Sequence, residues 1–129
     1  MTRAPAGRLT MRAEDLREPV LERVVAALAA RVDLPLDRLS DAQLAGSALV
    51  RSATRHAVDG VVFVDLDVED GSVGLTVGPL PTGQGREMIA EVVPGVGPVL
   101  ERLIDGWSVE PIDSGTEVLR LSIGAGGGS

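Results

Sequence analysis

Val61-Val62-Phe63-Val64-Asp65-Leu66-Asp67-Val68-Glu69-Asp70-Gly71-Ser72-Val73-Gly74-Leu75-Thr76-Val77 is the stretch that decides the fold. Its first half alternates: Val62, Val64, Leu66 and Val68 share one face, Asp65 and Asp67 the other. That period of two is what a half-buried strand requires. Glu69-Asp70-Gly71 is a turn signal, and Ser72–Val77 resumes the alternation with Val73, Leu75 and Val77 inward. The pair reads as a β-hairpin. Asp65, Asp67, Glu69 and Asp70 crowd the turn with a spacing unlike a calcium loop, so they read as charge guarding a solvated sheet edge.

Downstream of the hairpin, Gly78–Gly85 is rich in Gly and Pro and reads as a loop. Arg86–Val93 fits a short helix halted by Pro94 and Gly95. Pro98–Ile104 fits another, with Pro98 tolerated in its first turn. Trp107–Ile112 and Thr116–Ile123 form a closing hairpin around Asp113-Ser114-Gly115, and Trp107 and Phe63 read as core or sheet-face packing. Gly124–Ser129 has flexible-linker composition.

Upstream, Met1–Gly7 reads as a loose N-terminus and Arg8–Ala13 as a strand. Glu14–Arg31 switches to helical period: Leu16, Val20, Val24 and Leu28 fall on one stripe, joined by Leu21 and Val25. Asp33-Leu34-Pro35-Leu36 breaks that helix. Ser40 and Gln43 have capping-box spacing, which predicts a second helix from there to about Ala57. The order β-α-α-β-β-(α)-α-β-β predicts one α+β domain over residues 8–123. It is a two-layer sandwich whose mixed, mainly antiparallel sheet carries its helices on one face. Residues 1–7 and 124–129 flank it as flexible ends.

Composition narrows the function. The 129 residues suit a single core, and 44% of them are hydrophobic. Phe63 and Trp107 are the only aromatics, too few to stack on single-stranded bases. Nineteen acidic against 12 basic residues, all of them Arg, leave a net charge of −7, which repels phosphate backbones and argues against a nucleic-acid partner. There is no cysteine, and a lone His56 cannot build a multi-histidine metal centre, so no metal site is expected. No apolar run approaches the roughly 20 residues that span a bilayer, and the N-terminus has no secretory h-region, so a cytoplasmic, non-membrane protein is expected.

Leu44-Ala-Gly-Ser47-Ala48-Leu49-Val50-Arg51-Ser52-Ala53-Thr-Arg55-His56-Ala57 resembles the first box of the anti-sigma-factor serine-kinase branch of the GHKL (histidine-kinase-like) ATPases, commonly Leu-x-x-Ser-Glu-Leu-Val-Thr-Asn-Ala-x-Arg-His. Leu44, Ser47, Leu49, Val50, Ala53, Arg55 and His56 match. Gly95-Val96-Gly97-Pro98-Val99-Leu100 is similar to the family's Gly-x-Gly-Leu segment, and the likeness covers residues 8–123. The resemblance implies a Bergerat-like nucleotide fold, an ATP and Mg²⁺ cofactor pair, and protein partners of two kinds: a sigma factor, or an anti-anti-sigma protein of the STAS type. It also implies homodimers built along the sheet edge and first helix.

The chain departs from the family where the chemistry lies. The general-base Glu aligns with Ala48 and the Mg²⁺-binding Asn with Ser52. The adenine-reading Asp-x-Gly-x-Gly aligns with Gly78-Pro79-Leu80-Pro81-Thr82. Ala48 and Ser52, four apart, point the same way on a helix. Ala48 holds no proton acceptor, and Ser52 is a weak Mg²⁺ ligand. With base, metal ligand and adenine contact all replaced, phosphoryl transfer loses the positioned charge it depends on.

The expectation is a non-catalytic regulatory binding domain, without cofactor, that takes part in partner switching in transcription. The alternative is a divergent ATP-binding serine/threonine kinase that recruits Glu87 or Glu91 as its base. A third reading pairs the domain with an active relative. Gly95 and Gly97 are a vestigial phosphate loop, able to offer backbone N–H groups to an anion. Arg51, Arg55 and His56 are either a partner contact or cations favoured near a helix C-terminus.

Overall fold

The computed structural model describes residues 9–15, 17–56, 61–69, 71–93, 97–98 and 102–124. Strand β1 is Leu9–Arg12, followed by a 3₁₀ turn at Ala13–Asp15, helix α1 at Glu18–Arg31 and helix α2 at Leu36–His56. Strands β2 (Phe63–Glu69) and β3 (Ser72–Pro81) lead into helix α3 (Gln84–Ala90). Short strands β4 (Val92–Val93) and β5 (Gly97–Pro98) precede the closing strands β6 (Gly106–Pro111) and β7 (Thr116–Gly124).

Five strands form one open sheet in the order β1-β2-β3-β7-β6, and β4 pairs with β5 apart from it. Every pairing in the five-stranded sheet is antiparallel. The mixed sheet expected from sequence is therefore wholly antiparallel, because each neighbouring pair runs up and down. The predicted hairpins are both present: Val64 faces Val77 and Leu66 faces Leu75 in the first, Val109 faces Leu119 in the second. Gly71, at φ +80°, supplies the left-handed residue that the first turn needs.

Alternation sorts the strands into two faces. Val64, Leu66, Val73, Leu75, Val77, Leu119, Leu121 and Ile123 are fully buried under the helices. Leu21, Val25 and Leu28 of α1, Ala42, Ala45, Leu49 and Ala53 of α2, and Met88 and Ile89 of α3 complete one aliphatic core. The alanines let α2 lie close to the sheet. Each buried large aliphatic side chain stabilises the fold by about 1.5–3 kcal/mol.

Several boundaries differ from the sequence reading. The short helix expected at Arg86–Val93 runs instead from Gln84 to Ala90, and Val92–Val93 pair with Gly97–Pro98 as strand. Helix α1 starts at Glu18 and not at Glu14, because Pro19 lacks an N–H and fits only the first turn. Helix α2 starts at Leu36, four residues before the Ser40 capping box. The Leu39 N–H bonds the Pro35 carbonyl at 2.8 Å. In that first turn Arg38 donates to Asp41 (2.7 Å), Asp105 (2.8 Å) and the Gly124 carbonyl (3.0 Å). This long-range anchoring to the β6–β7 end outweighs the local cap.

The segment Gly78–Pro81, expected to be loop, instead extends β3. The register with β7 shifts between Val77 and Leu80, where Pro79 has no N–H to give the ladder, and Leu80 returns fully buried opposite Glu117. In the predicted helix Pro98–Ile104, Pro98 pairs as strand and Arg102–Leu103 are helical; residues 99–101 lie outside the described residues, as do 1–8 and 125–129.

Candidate functional site

The face of α2 singled out by sequence turns towards the segment that follows α3. Ala48 is half-buried and packs on the core. Ser52 is only 4% exposed, and its hydroxyl donates to Glu91 Oε1 at 2.6 Å. Arg55, one turn further on, donates to Glu91 Oε2. Glu91 is the C-cap of α3, in extended conformation, with its own N–H on the Met88 carbonyl. One carboxylate thus ties the end of α3 to α2.

This arrangement constrains the chemistry. The Ser52 hydroxyl donates to Glu91, and the Arg55 guanidinium pairs with the same carboxylate, so both carboxylate oxygens are engaged by α2. Ala48 contributes only a methyl group. Glu87, the other candidate base, is exposed.

The remaining sequence-predicted residues divide. Arg51 and Arg55 are four apart but engage different neighbours. Arg51 Nη2 reaches Ser47 Oγ at 3.5 Å, and Ser47 donates to Glu18 Oε2 of α1 at 2.6 Å. His56 ends α2, and its side chain lies outside the described residues. Gly97 pairs with Val93, whereas Gly95 lies outside the described residues. Two adjoining hollows of about 290 and 330 Å³ run along the α1–α2 seam and share Glu18, Ser47 and Arg51. Neither is lined by Ala48 or Ser52.

Two charged features escaped the sequence reading. Glu117, 5% exposed, accepts the Gly85 N–H at 2.9 Å in the first turn of α3. A carboxylate there satisfies an orphan donor and complements the helix dipole. Its signal was present: Glu117 has the parity of Leu119, Leu121 and Ile123, an acid among inward residues. A Cβ on Gly85 would come within 2.9 Å of that carboxylate, so glycine is required at the approach.

The second feature is Asp67, read as solvated but only 8% exposed. Arg120 donates to both of its oxygens at 3.1 Å, to Thr76 Oγ1 at 3.2 Å and to Glu69 at 3.3 Å. Hydrogen bonding to Asp67 raises the Arg120 pKa further. The ion pair crosses β3 at Gly74, where a Cβ would sit 2.3–2.4 Å from Arg120 and Asp67. Of the two aromatics, Trp107 lies inward beneath Arg86, whose guanidinium is 5.5 Å from the ring centre, whereas Phe63 is 46% exposed.

The chain matches no known family model and no curated protein sequence. Among the described residues no helix is long and apolar enough to cross a membrane.

Proposed function

We propose that this chain is a non-catalytic regulatory protein-binding domain of the cytoplasm. In this reading it is an anti-sigma-factor-like GHKL domain that has lost ATP- and Mg²⁺-dependent kinase activity. The observation that carries the reading is the Ser52–Glu91–Arg55 junction. At the aligned metal position, a buried hydroxyl and a salt bridge fasten the α3 segment onto α2. The element order and the long α2 on an antiparallel sheet support the same reading. Arg51, with Ser47 and Glu18 along the exposed α1–α2 seam, provides a polar surface for a protein partner, either a sigma factor or a STAS-type anti-anti-sigma protein.

Affinity capture from the native host with the tagged full chain tests this. Recovery of a sigma factor or a STAS-type protein, weakened by Arg51→Glu, is expected; recovery of neither class counts against the proposal.

One observation favours a second reading, a divergent serine/threonine kinase. Glu91 does place a carboxylate within hydrogen-bond reach of the α2 face, where a replacement base would stand. That reading requires Arg55 to release Glu91 when nucleotide binds. Turnover of ATP by the purified chain, lost in Glu91→Gln, would establish it.

A further inference from the structure

All three described helices lie on one face of the five-stranded sheet, and the other face is built from the alternate residues of the same strands. The pairing register arranges that outer face in rows across the sheet. One row runs Arg12, Phe63, Gly78, Val118, Glu110 from β1 to β6. Gly78 and Val118 are neighbours in it: a Cβ on Gly78 would lie 2.6 Å from the Val118 side chain. The next row runs Thr10, Asp65, Thr76, Arg120, Ser108. A third runs Asp67, Gly74, Ser122, Gly106.

The first two rows are self-complementary about their centres, and the third sets Asp67 against Ser122. β3 is the middle strand, with two strands on either side. A two-fold axis along β3 sets each residue against the one equally far across the row in the other copy. Arg12 then meets Glu110, Phe63 meets Val118, Asp65 meets Arg120 and Asp67 meets Ser122. No like charges oppose one another. On the axis Gly74 lies under the Asp67–Arg120 pair and Gly78 under Val118, so the two copies meet there through those side chains, and Phe63, 46% exposed, has a half-buried Val118 to cover it.

We propose that this open sheet face mates with the same face of a second copy, forming a two-fold β-sandwich dimer. Aligned sheets pack about 10 Å apart at roughly −30°, so the central rows superpose best and the outer pairs meet through long Arg and Glu side chains. Five strands at about 4.8 Å spacing and 20–30 Å length offer roughly 600 Å² per copy, near the lower bound for a stable interface. Edge-to-edge pairing is disfavoured, because β1 has four residues and β6 ends in Pro111. The inference concerns a surface remote from the Ser52–Glu91 junction, and its failure leaves the proposed function standing.

Charge reversal tests it on the full chain by sedimentation equilibrium. Wild type is expected to be a dimer. Arg12→Glu and Glu110→Arg each bring like charges together and should weaken dimerisation about tenfold or more. The double variant restores opposite charges and should return the dissociation constant to within roughly threefold of wild type. The Arg12–Glu14 pair lost in the first variant is exposed on both sides and contributes little to folding, which thermal melts of each variant check. A wild-type monomer at every attainable concentration overturns the proposal. So does a dimer unaffected by the single reversals, or one in which the double variant shows no rescue.

Discussion

The two faces of the sheet are made by the same strands and differ in almost everything else. Leu119, Leu121 and Ile123 point inward from β7 and are fully buried, while Arg120 and Ser122, their chain neighbours, point outward and stay half-exposed. The inner face holds three helices through aliphatic contact, which is strong and non-directional. The outer face carries glycines, hydroxyls, charged side chains and the exposed Phe63, with Arg120 paired to Asp67 and Glu69, which add little cohesion but specify geometry. The fold is therefore determined on one side of the sheet, and the other side is available for recognition.

The sharpest way to break this contrast is to mutate adjacent residues of β7. Leu121→Ala should cost about 2–5 kcal/mol, since it opens a cavity in the core, whereas Ser122→Ala should change stability by less than about 0.5 kcal/mol. Urea denaturation of both variants measures the difference, and similar values would mean that the faces are not distinct. A smaller effect is expected at Gly74. An added Cβ there collides with Arg120 and Asp67, so Gly74→Ala should destabilise by about 1–3 kcal/mol through overpacking. If the outer face is loosely held, the ion pair will instead swing aside and stability will not change.

The first hairpin was legible because alternation, a turn signal and the left-handed Gly71 all lie within a few residues of one another; the second carries the alternation and turn signal alone. The start of α2 was not. Ser40 and Gln43 form a plausible local cap, but Arg38 reaches Asp105 and Gly124, far away in the chain, and that anchoring is invisible in a window. The β3 extension was hidden for a similar reason: Gly78-Pro79-Leu80-Pro81 has loop composition, and only β7 alongside makes it a strand. Ala48 and Ser52 both lie on α2, four apart as their spacing dictates, and Glu91 is one of the two carboxylates that the sequence offers near them. What spacing could not reveal was that Ser52 and Arg55 converge on it from α2.

The smallest expected effect lies in the β6–β7 turn. Asp113 accepts the Gly115 N–H at 3.0 Å, the Thr116 hydroxyl at 2.8 Å and the Thr116 N–H at 3.1 Å. The Gly115 backbone bond, followed by the Thr116 hydroxyl, holds its pKa below the usual aspartate value. A depressed folded pKa stabilises the native state above the unfolded value of about 3.9, and that contribution fades as pH falls through the lower folded value. Asp113→Asn should therefore lower neutral stability slightly and flatten the acid limb, with variant and wild type converging as pH falls below ~4. Carboxyl NMR titration should find Asp113 titrating below the usual aspartate value.

The account rests most heavily on the junction where Glu91 joins Ser52 and Arg55. Titration calorimetry of the full chain with ATP and Mg²⁺ probes it directly. No saturable heat is predicted, in the wild type or in Glu91→Gln. Saturable binding at micromolar strength, accompanied by ATP turnover that disappears in Glu91→Gln, would contradict the account and make Glu91 the base of a working kinase.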